Sequence, residues 1–230
     1  MNDLEQTLTP PSSLQFPIVG IGASAGGLDA LLRLFENMPA ANGMAFVIVL
    51  HLSPKHESNI ALLLQKSTKM PVRQVNEPIT IQNNNVYVIP PSKSLLMRDG
   101  QLVVEPMVRP RGRAVAIDMF FRTLADTHTV RSVGIILSGT GSDGAVGIAR
   151  IKEAGGITIA QDPKDAVYDG MPQNAIETRA IDFVLPVTEI PQRLMEVADN
   201  RVQIKLPSAS ALNIDVQMRI RTTKNRLKIH

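Results

Sequence analysis

The sequence predicts an α/β fold: a doubly wound, mostly parallel sheet with helices on both faces and one antiparallel β-hairpin. From residue 16 to about residue 200, short apolar runs typical of buried strands alternate with segments of helical periodicity. Aromatic residues make up only 3% of the chain, and Trp is absent. The core must therefore consist mainly of Val, Ile, Leu, Ala and Met, the composition that buried parallel strands favour.

Strands are predicted where a short apolar run is bounded by turn-forming residues. They cover residues 17–20, 45–50, 72–75, 86–89, 133–137, 157–160 and 183–185. Helices are predicted where apolar residues recur at helical spacing. They cover residues 27–37, 59–67, 117–126, 145–154, 172–177 and 190–199. This alternation favours parallel strands joined by crossover helices.

One segment breaks the alternation and predicts the β-hairpin. Residues 94–97 and 101–104 flank Asp99-Gly100, a dipeptide that suits a tight type I′ turn. The Pro-containing basic stretch that follows, residues 106–113, predicts a loop that leads into the helix at residue 117.

The length of 230 residues allows one sizeable α/β domain with flanking segments. Residues 1–15, polar and containing Pro10-Pro11, predict a disordered leader, and residues 16–200 predict the folded domain. Residues 201–230 predict a basic tail or linker, because they carry seven basic residues and one acid, a charge of +6. The net charge of +3 leaves −3 for residues 1–200, so the basicity belongs to the tail.

Composition also excludes several classes of protein. No apolar run approaches the roughly 18 residues that a membrane-spanning helix needs, and residues 1–15 lack the pattern of a signal peptide. Cysteine is absent, which excludes disulfides, a thiol nucleophile and Cys-ligated zinc. The basic tail has no aromatic residue to stack on bases, so no nucleic-acid partner is expected. These features favour a cytoplasmic protein without membrane insertion.

Three predicted strands end in polar residues of different chemistry. The first strand runs into a loop with Ser24, the second ends at His51, and the strand at 133–137 leads to Asp143. In open α/β sheets, ligands bind beyond the carboxyl ends of the strands. We therefore expect a serine, a histidine and an aspartate at one edge of the sheet.

The Ser24 loop also fits a loose dinucleotide-binding fingerprint, Gly20-x-Gly22-x-x-Ala25. That fingerprint expects an acid at the end of the second strand, where this chain has His51. A sharp turn of small residues that exposes the Ser24 hydroxyl, with helix-opening N–H groups beside it for an oxyanion, explains the loop better. The sequence is not G-x-S-x-G, so an ordinary α/β-hydrolase is not indicated.

Each candidate also has a purely structural interpretation, and the spacing alone leaves the choice open. Ser24 fits a helix-capping or phosphate-binding residue, and His51 fits a strand-end histidine bonded to a backbone carbonyl. Asp143 fits the N-cap of the helix that begins near residue 145. The remaining histidines fit a strand-end site less well: His56, His128 and His230.

Several motifs resemble those of the chemotaxis receptor methylesterase (CheB) family over residues 16–200. Residues 18–27, Ile-Val-Gly-Ile-Gly-Ala-Ser-Ala-Gly-Gly, are similar to its nucleophile loop, and the strand that ends in His51-Leu52 is similar to its histidine position. Three further stretches follow the family's order and spacing: 134–145, which contains the aspartate motif, 154–161 and 168–172.

The resemblance implies that Ser24 is the nucleophile, His51 the general base and Asp143 the residue that orients the histidine. It implies hydrolysis of γ-glutamyl methyl esters on chemoreceptor signalling helices with release of methanol, and in some members deamidation of receptor glutamines. No metal or organic cofactor is required for this chemistry. The alternatives are a Gly-loop nucleotide- or phosphate-binding domain and an inactive signalling module of the same fold.

Two positions depart from the family's pattern. Many relatives carry Arg-Pro-Ser before the helix that contains Asp118, where this chain has Ala114-Val115-Ala116, and many carry Met at the position of Thr140. Both departures concern receptor recognition and loop packing more than hydrolysis. The chain resembles the methylesterase portion of methylesterase–methyltransferase fusions, which makes a fused or separate methyltransferase an expected partner.

Overall fold

The computed structural model describes residues 12–51, 59–106 and 115–203, with side chains as far as residue 199. The chain divides into two compact units, residues 1–195 and 196–230, and the sheet and the site described below belong to the first. The division falls inside the last helix, close to the domain end predicted at residue 200. The predicted boundaries themselves stay predictions.

The described residues contain ten strands and six α-helices, besides a 3-10 helix at Thr129–Arg131. The strands are β1 (Ile18–Ala23), β2 (Ala45–Leu50), β3 (Val72–Gln74), β4 (Ile79–Thr80), β5 (Asn85–Val88), β6 (Lys93–Arg98), β7 (Gln101–Pro106), β8 (Ser132–Ile136), β9 (Ile157–Gln161) and β10 (Phe183–Leu185). The helices are α1 (Gly27–Glu36), α2 (Ile60–Ser67), α3 (Ala116–His128), α4 (Ala145–Glu153), α5 (Gly170–Glu177) and α6 (Ile190–Gln203). The predicted elements are confirmed, with ends shifted by a few residues. No described helix combines the length and apolar character that a membrane span requires.

The main sheet has seven strands in the order β10-β9-β8-β1-β2-β5-β3, and all of its pairs are parallel. The predicted fold class is therefore confirmed. The chain leaves β1 toward β2 on one side and later returns to β8 on the other, so β1 marks the point where the strand order reverses. Such a point opens a crevice at the carboxyl ends of the central strands.

The central strands are buried along their whole length, as expected for a parallel sheet covered on both faces. Within β1, Gly20 and Gly22 let α3 approach the sheet closely. A Cβ at Gly20 would lie 2.9 Å from a ring carbon of Phe120, and a Cβ at Gly22 would lie 2.5 Å from Cγ2 of Ile117. These glycines thus make room for α3, and that close packing brings the start of α3 to the carboxyl edge of the sheet.

A second, antiparallel sheet has the order β4-β7-β6. It contains the predicted hairpin, in which Arg98 pairs with Gln101 across Asp99-Gly100. The predicted type I′ turn is wrong, because it needs positive φ at both central residues and only Gly100 has one, at 82°. Strand β4 was not predicted, since two residues are too few to form an alternating pattern.

The segment just before β1 contacts the hairpin turn and the end of α3. The backbone N–H and the hydroxyl of Ser13 donate to Oδ1 of Asp99, at 2.8 and 3.0 Å. The hydroxyl of Ser12 lies 2.5 Å from Nδ1 of His128, which is fully buried. Part of the predicted disordered leader is therefore in contact with the folded domain. The rest of it, residues 1–11, lies outside the described residues.

The buried His128 makes stability depend on pH. Burial lowers its pKa from 6.5 to about 4, with Asp99 opposing the shift and Arg131 adding to it. The unfolded chain takes up a proton near pH 6.5, whereas the folded protein does so only near pH 4. His128 therefore stabilises the fold above about pH 6.5, and this contribution, at most about 3 kcal/mol, is lost as the pH falls toward about 4.

Urea unfolding measured between about pH 7 and about pH 5, above the range where most carboxylates protonate, tests this. The free energy of unfolding should decrease over this range in the wild type, and it should change much less in His128→Gln. An identical slope in His128→Gln would show that another group is responsible.

Candidate active site

The turn after β1 holds Ser24 by backbone contacts on both sides. The N–H of Ser24 donates to the carbonyl of Ser138 at 3.0 Å, and its own carbonyl accepts from Gly27 at 2.9 Å. Gly26 has a φ of 71°, a left-handed conformation that glycine adopts without strain. A Cβ there would lie 2.7 Å from Oγ of Ser138. The sharp turn predicted around Ser24 is thus explained by its neighbours.

His51 lies directly after β2, beside this turn. Its N–H donates to the carbonyl of Ala23 at 3.0 Å, which continues the pairing of β1 with β2. The hydroxyl of Ser24 donates to the carbonyl of His51 at 3.4 Å, so in this arrangement it bonds to the backbone and not to the imidazole. The serine and the histidine are therefore adjacent, as predicted from the two strand ends.

The imidazole of His51 faces Asp143. Its Nε2 lies 2.7 Å from Oδ2 of Asp143, and both side chains are largely buried, with 19% and 11% of their surfaces exposed. The oxygen lies off the ring N–H direction, since Nε2 makes no aligned hydrogen bond. The contact is therefore a close approach of the ring nitrogen to the carboxylate, without the linear geometry of a hydrogen bond.

Asp143 caps a helix, but not the helix predicted from the sequence. Its two carboxylate oxygens accept from the first turn of α3: Oδ2 from the N–H of Ile117 at 3.1 Å and Oδ1 from the N–H of Asp118 at 3.0 Å. The helix that follows Asp143, α4, has Gly144 as its N-cap, without a side-chain capping bond. The interpretation of Asp143 as the α4 cap is therefore wrong.

Asp118 makes the reciprocal contact and was not predicted as a site residue. Its Oδ1 accepts from the N–H of Gly144 at 3.0 Å and from the N–H of Gly147 at 2.7 Å, both at the start of α4. Burial raises the pKa of the Asp118 carboxyl above its ordinary value, and the nearby charge of Asp143 adds to this shift. Each of the two helices is thus capped by a carboxylate from the start of the other.

A buried polar network supports the Ser24 turn from behind. Ser138, whose carbonyl binds the N–H of Ser24, donates its own N–H to Oε1 of Gln161 at 2.9 Å. Nε2 of Gln161 donates to Asp165 at 2.8 Å, and Asp165 also accepts from Arg33 of α1 at 2.8 Å. Sequence reasoning missed this network. The only local signal for Ser138 was a serine directly after a buried strand.

The three predicted residues border one open cleft of about 490 Å³. Its lining residues come from the turn after β1, the end of β2, the loop after β8 and α5: Ser24, His51, Thr140, Gly141, Ser142, Asp143 and Met171. Gly20 and Gly22 of the dinucleotide fingerprint lie instead inside β1 under α3. Among the described residues, no three His, Asp or Glu side chains are grouped as metal ligands.

A serine hydroxyl beside an imidazole–carboxylate pair, in the crevice of a doubly wound sheet, is the arrangement of a serine-type hydrolase. Comparison with known proteins agrees with this class and narrows it. Residues 19–194 match the family model of the CheB methylesterase, and the chain belongs to that family.

Individual relatives support the same assignment. A protein-glutamate methylesterase/protein-glutamine glutaminase of Pyrococcus abyssi is 34% identical over 185 residues, which are 79% of this chain and 50% of that protein. A relative from Leptospira interrogans is 30% identical over 83% of this chain and 99% of its own length. The crystal structure of the Thermotoga maritima CheB methylesterase catalytic domain has a TM-score of 0.74 at 28% identity, over 80% of this chain and 100% of that one. The chain thus spans about half the length of one relative and nearly all of another.

The reciprocal caps predict different losses of folding stability for two similar substitutions. In Asp143→Asn the amide offers one oxygen, so one of two N–H groups of α3 loses its acceptor, at a cost of about 1–3 kcal/mol. In Asp118→Asn the single oxygen can still accept both N–H groups of α4, because both bond to Oδ1. Urea unfolding should show a clear loss of stability for Asp143→Asn and a smaller one for Asp118→Asn. Equal losses would mean that charge, and not hydrogen bonding, dominates both caps.

Proposed function

We propose that the protein is a protein-glutamate methylesterase in which Ser24 is the nucleophile, His51 the general base and Asp143 the carboxylate that orients the imidazole. One observation carries this proposal: the three side chains meet in one cleft at the crevice of the sheet, in a member of the CheB methylesterase family. The proposed substrates are γ-glutamyl methyl esters on chemoreceptor signalling helices. A cytoplasmic location and a fused or separate methyltransferase partner belong to the same proposal.

The ring orientation of His51 supports a proposed role for each nitrogen. Nε2 lies against Asp143, so Nδ1 is the nitrogen that remains to accept a proton from Ser24. The Ser24 hydroxyl bonds to the His51 carbonyl in this structure, so the proposed proton transfer requires it to turn from that carbonyl to the ring. As the imidazole takes the proton, the Asp143 carboxylate stabilises the resulting positive charge.

The reaction then follows the two-step logic of serine esterases. The Ser24 oxygen attacks the ester carbonyl, and N–H groups at the start of α1, which have no partners within the helix, stabilise the oxyanion. The C–O bond to the methoxy group breaks, and His51 returns the proton so that methanol leaves. Water, activated by the same imidazole, hydrolyses the γ-glutamyl ester on Ser24 and restores the hydroxyl. A glutamine substrate would release ammonia by the same steps.

Methanol release from a methylated receptor fragment tests the assignment of the nucleophile. Ser24→Ala should lower turnover by at least about 10³-fold while leaving circular dichroism unchanged, because the turn already consists of small residues. Ser132→Ala is the control, since this serine lies at the start of β8, whereas the cleft lies beyond the other end of that strand. Substantial turnover by Ser24→Ala would remove this serine from the mechanism. Absence of turnover in the wild type would favour an inactive signalling module.

Substitution of the two histidines in the described part of the chain distinguishes the proposed base from a structural histidine. His51→Gln should remove most turnover, because no other described imidazole lines the cleft. His128→Gln, at the far end of α3, should retain turnover at neutral pH. A larger loss of turnover in His128→Gln than in His51→Gln would overturn the assignment of His51.

A further inference from the structure

Two exposed apolar side chains lie beside the turn that holds Ser24. Val167 is 65% exposed and Tyr168 is 48% exposed. A Cβ added at Gly26, two residues after Ser24, would lie 2.9 Å from Cβ of Val167 and 3.2 Å from Cδ2 of Tyr168. Both side chains therefore contact the nucleophile turn and also face solvent. Val146, in the first turn of α4 after Asp143, is exposed as well.

The backbone of Tyr168 is fixed although its side chain is half-exposed. The buried Oγ of Ser138 accepts from the N–H of Tyr168 at 3.0 Å and donates to the carbonyl of Ala25 at 2.9 Å. The carbonyl of Tyr168 accepts from the N–H of Gly139 at 2.9 Å. This segment is thus bound to both the Ser24 turn and the loop that leads to Asp143. An apolar group held in place before contact loses little conformational entropy on binding.

The occupant of this surface follows from the size of the cleft together with the proposed substrate. A cleft of about 490 Å³ accommodates one glutamyl side chain, and the protein that carries this side chain has to lie on the rim. If the esterified residue lies on a helix, its neighbours three and four positions away come to within about 5–6 Å of it and meet the rim first. Exposed Tyr and Val side chains suit the apolar surface of such a helix, and Tyr is enriched among strongly contributing interface residues.

We propose that Val167 and Tyr168 form the docking rim for the helix that carries the esterified glutamate. This inference rests on the proposed function, because the substrate helix is placed by the ester that reaches Ser24. The rim adds a contact that favours a folded helical substrate over a small ester of the same chemistry.

Binding can be measured without turnover, by fluorescence anisotropy of a labelled, methylated helical fragment of a chemoreceptor signalling domain with the Ser24→Ala protein. Adding Tyr168→Ala should weaken this binding about tenfold, whereas adding Tyr168→Phe, which keeps the apolar ring, should retain it. Val184→Ser is the matched control, since Val184 is a 43% exposed valine on the edge strand β10, and it should bind like the parent. Circular dichroism checks that each variant is folded.

Turnover by proteins that keep Ser24 distinguishes this proposal from the proposed function. Val167→Ser and Tyr168→Ala should each reduce kcat/KM on the helical fragment mainly through KM, and by a larger factor than on p-nitrophenyl acetate. Equal losses on the two substrates would show that the rim only supports the catalytic turn and would overturn docking. Unchanged binding in Tyr168→Ala, or no binding by the parent, would also overturn it. Failure of the wild type to hydrolyse either ester while the fragment still binds would reject the esterase function alone.

Discussion

The carboxylate of Asp143 lies at the start of α3 and that of Asp118 at the start of α4, and the active-site geometry depends on this exchange. A helix start leaves N–H groups without partners, and a buried carboxylate without hydrogen bonds is costly. Here each carboxylate accepts hydrogen bonds from the N–H groups at the start of the neighbouring helix, so both requirements are met at both helix starts. The partial positive charge at each helix start further stabilises the carboxylate that it holds. Asp143 is thereby held in position by α3, independently of its contact with His51.

The exchange is possible only because α3 lies unusually close to the sheet. Gly20 and Gly22 leave the space that Phe120 and Ile117 occupy, so the first turn of α3 arrives at the level of the strand ends. The glycine pattern that suggested a nucleotide site therefore has another physical cause. It belongs to the packing between helix and strand, and it affects the candidate site through the position of Asp143.

The sequence was informative where the signal is local and uninformative where it depends on distant contacts. Strand β2, Ala45–Leu50, was predicted with its observed ends because its six residues are all apolar. All six are buried in the structure. The position of Ser24 and His51 at one edge followed from the rule for parallel strands. Which helix Asp143 caps could not be predicted, since its partners are about 25 residues earlier in the chain. The same holds for Ser138 and for the contacts of Ser13 with Asp99, which join segments that only the fold brings together.

The strand order sets a gradient of mutational tolerance across the molecule. The cleft opens over β1, the middle strand of seven, whereas β3 and β10 lie at the two outer edges, three strands away on either side. Near the centre there is no room for a methyl group: a Cβ at Gly139 would lie 2.2 Å from the sulfur of Met171 and 2.9 Å from Cβ of Ser24. Added side-chain volume is therefore better tolerated on the flanks of the sheet than at such a glycine beside the cleft.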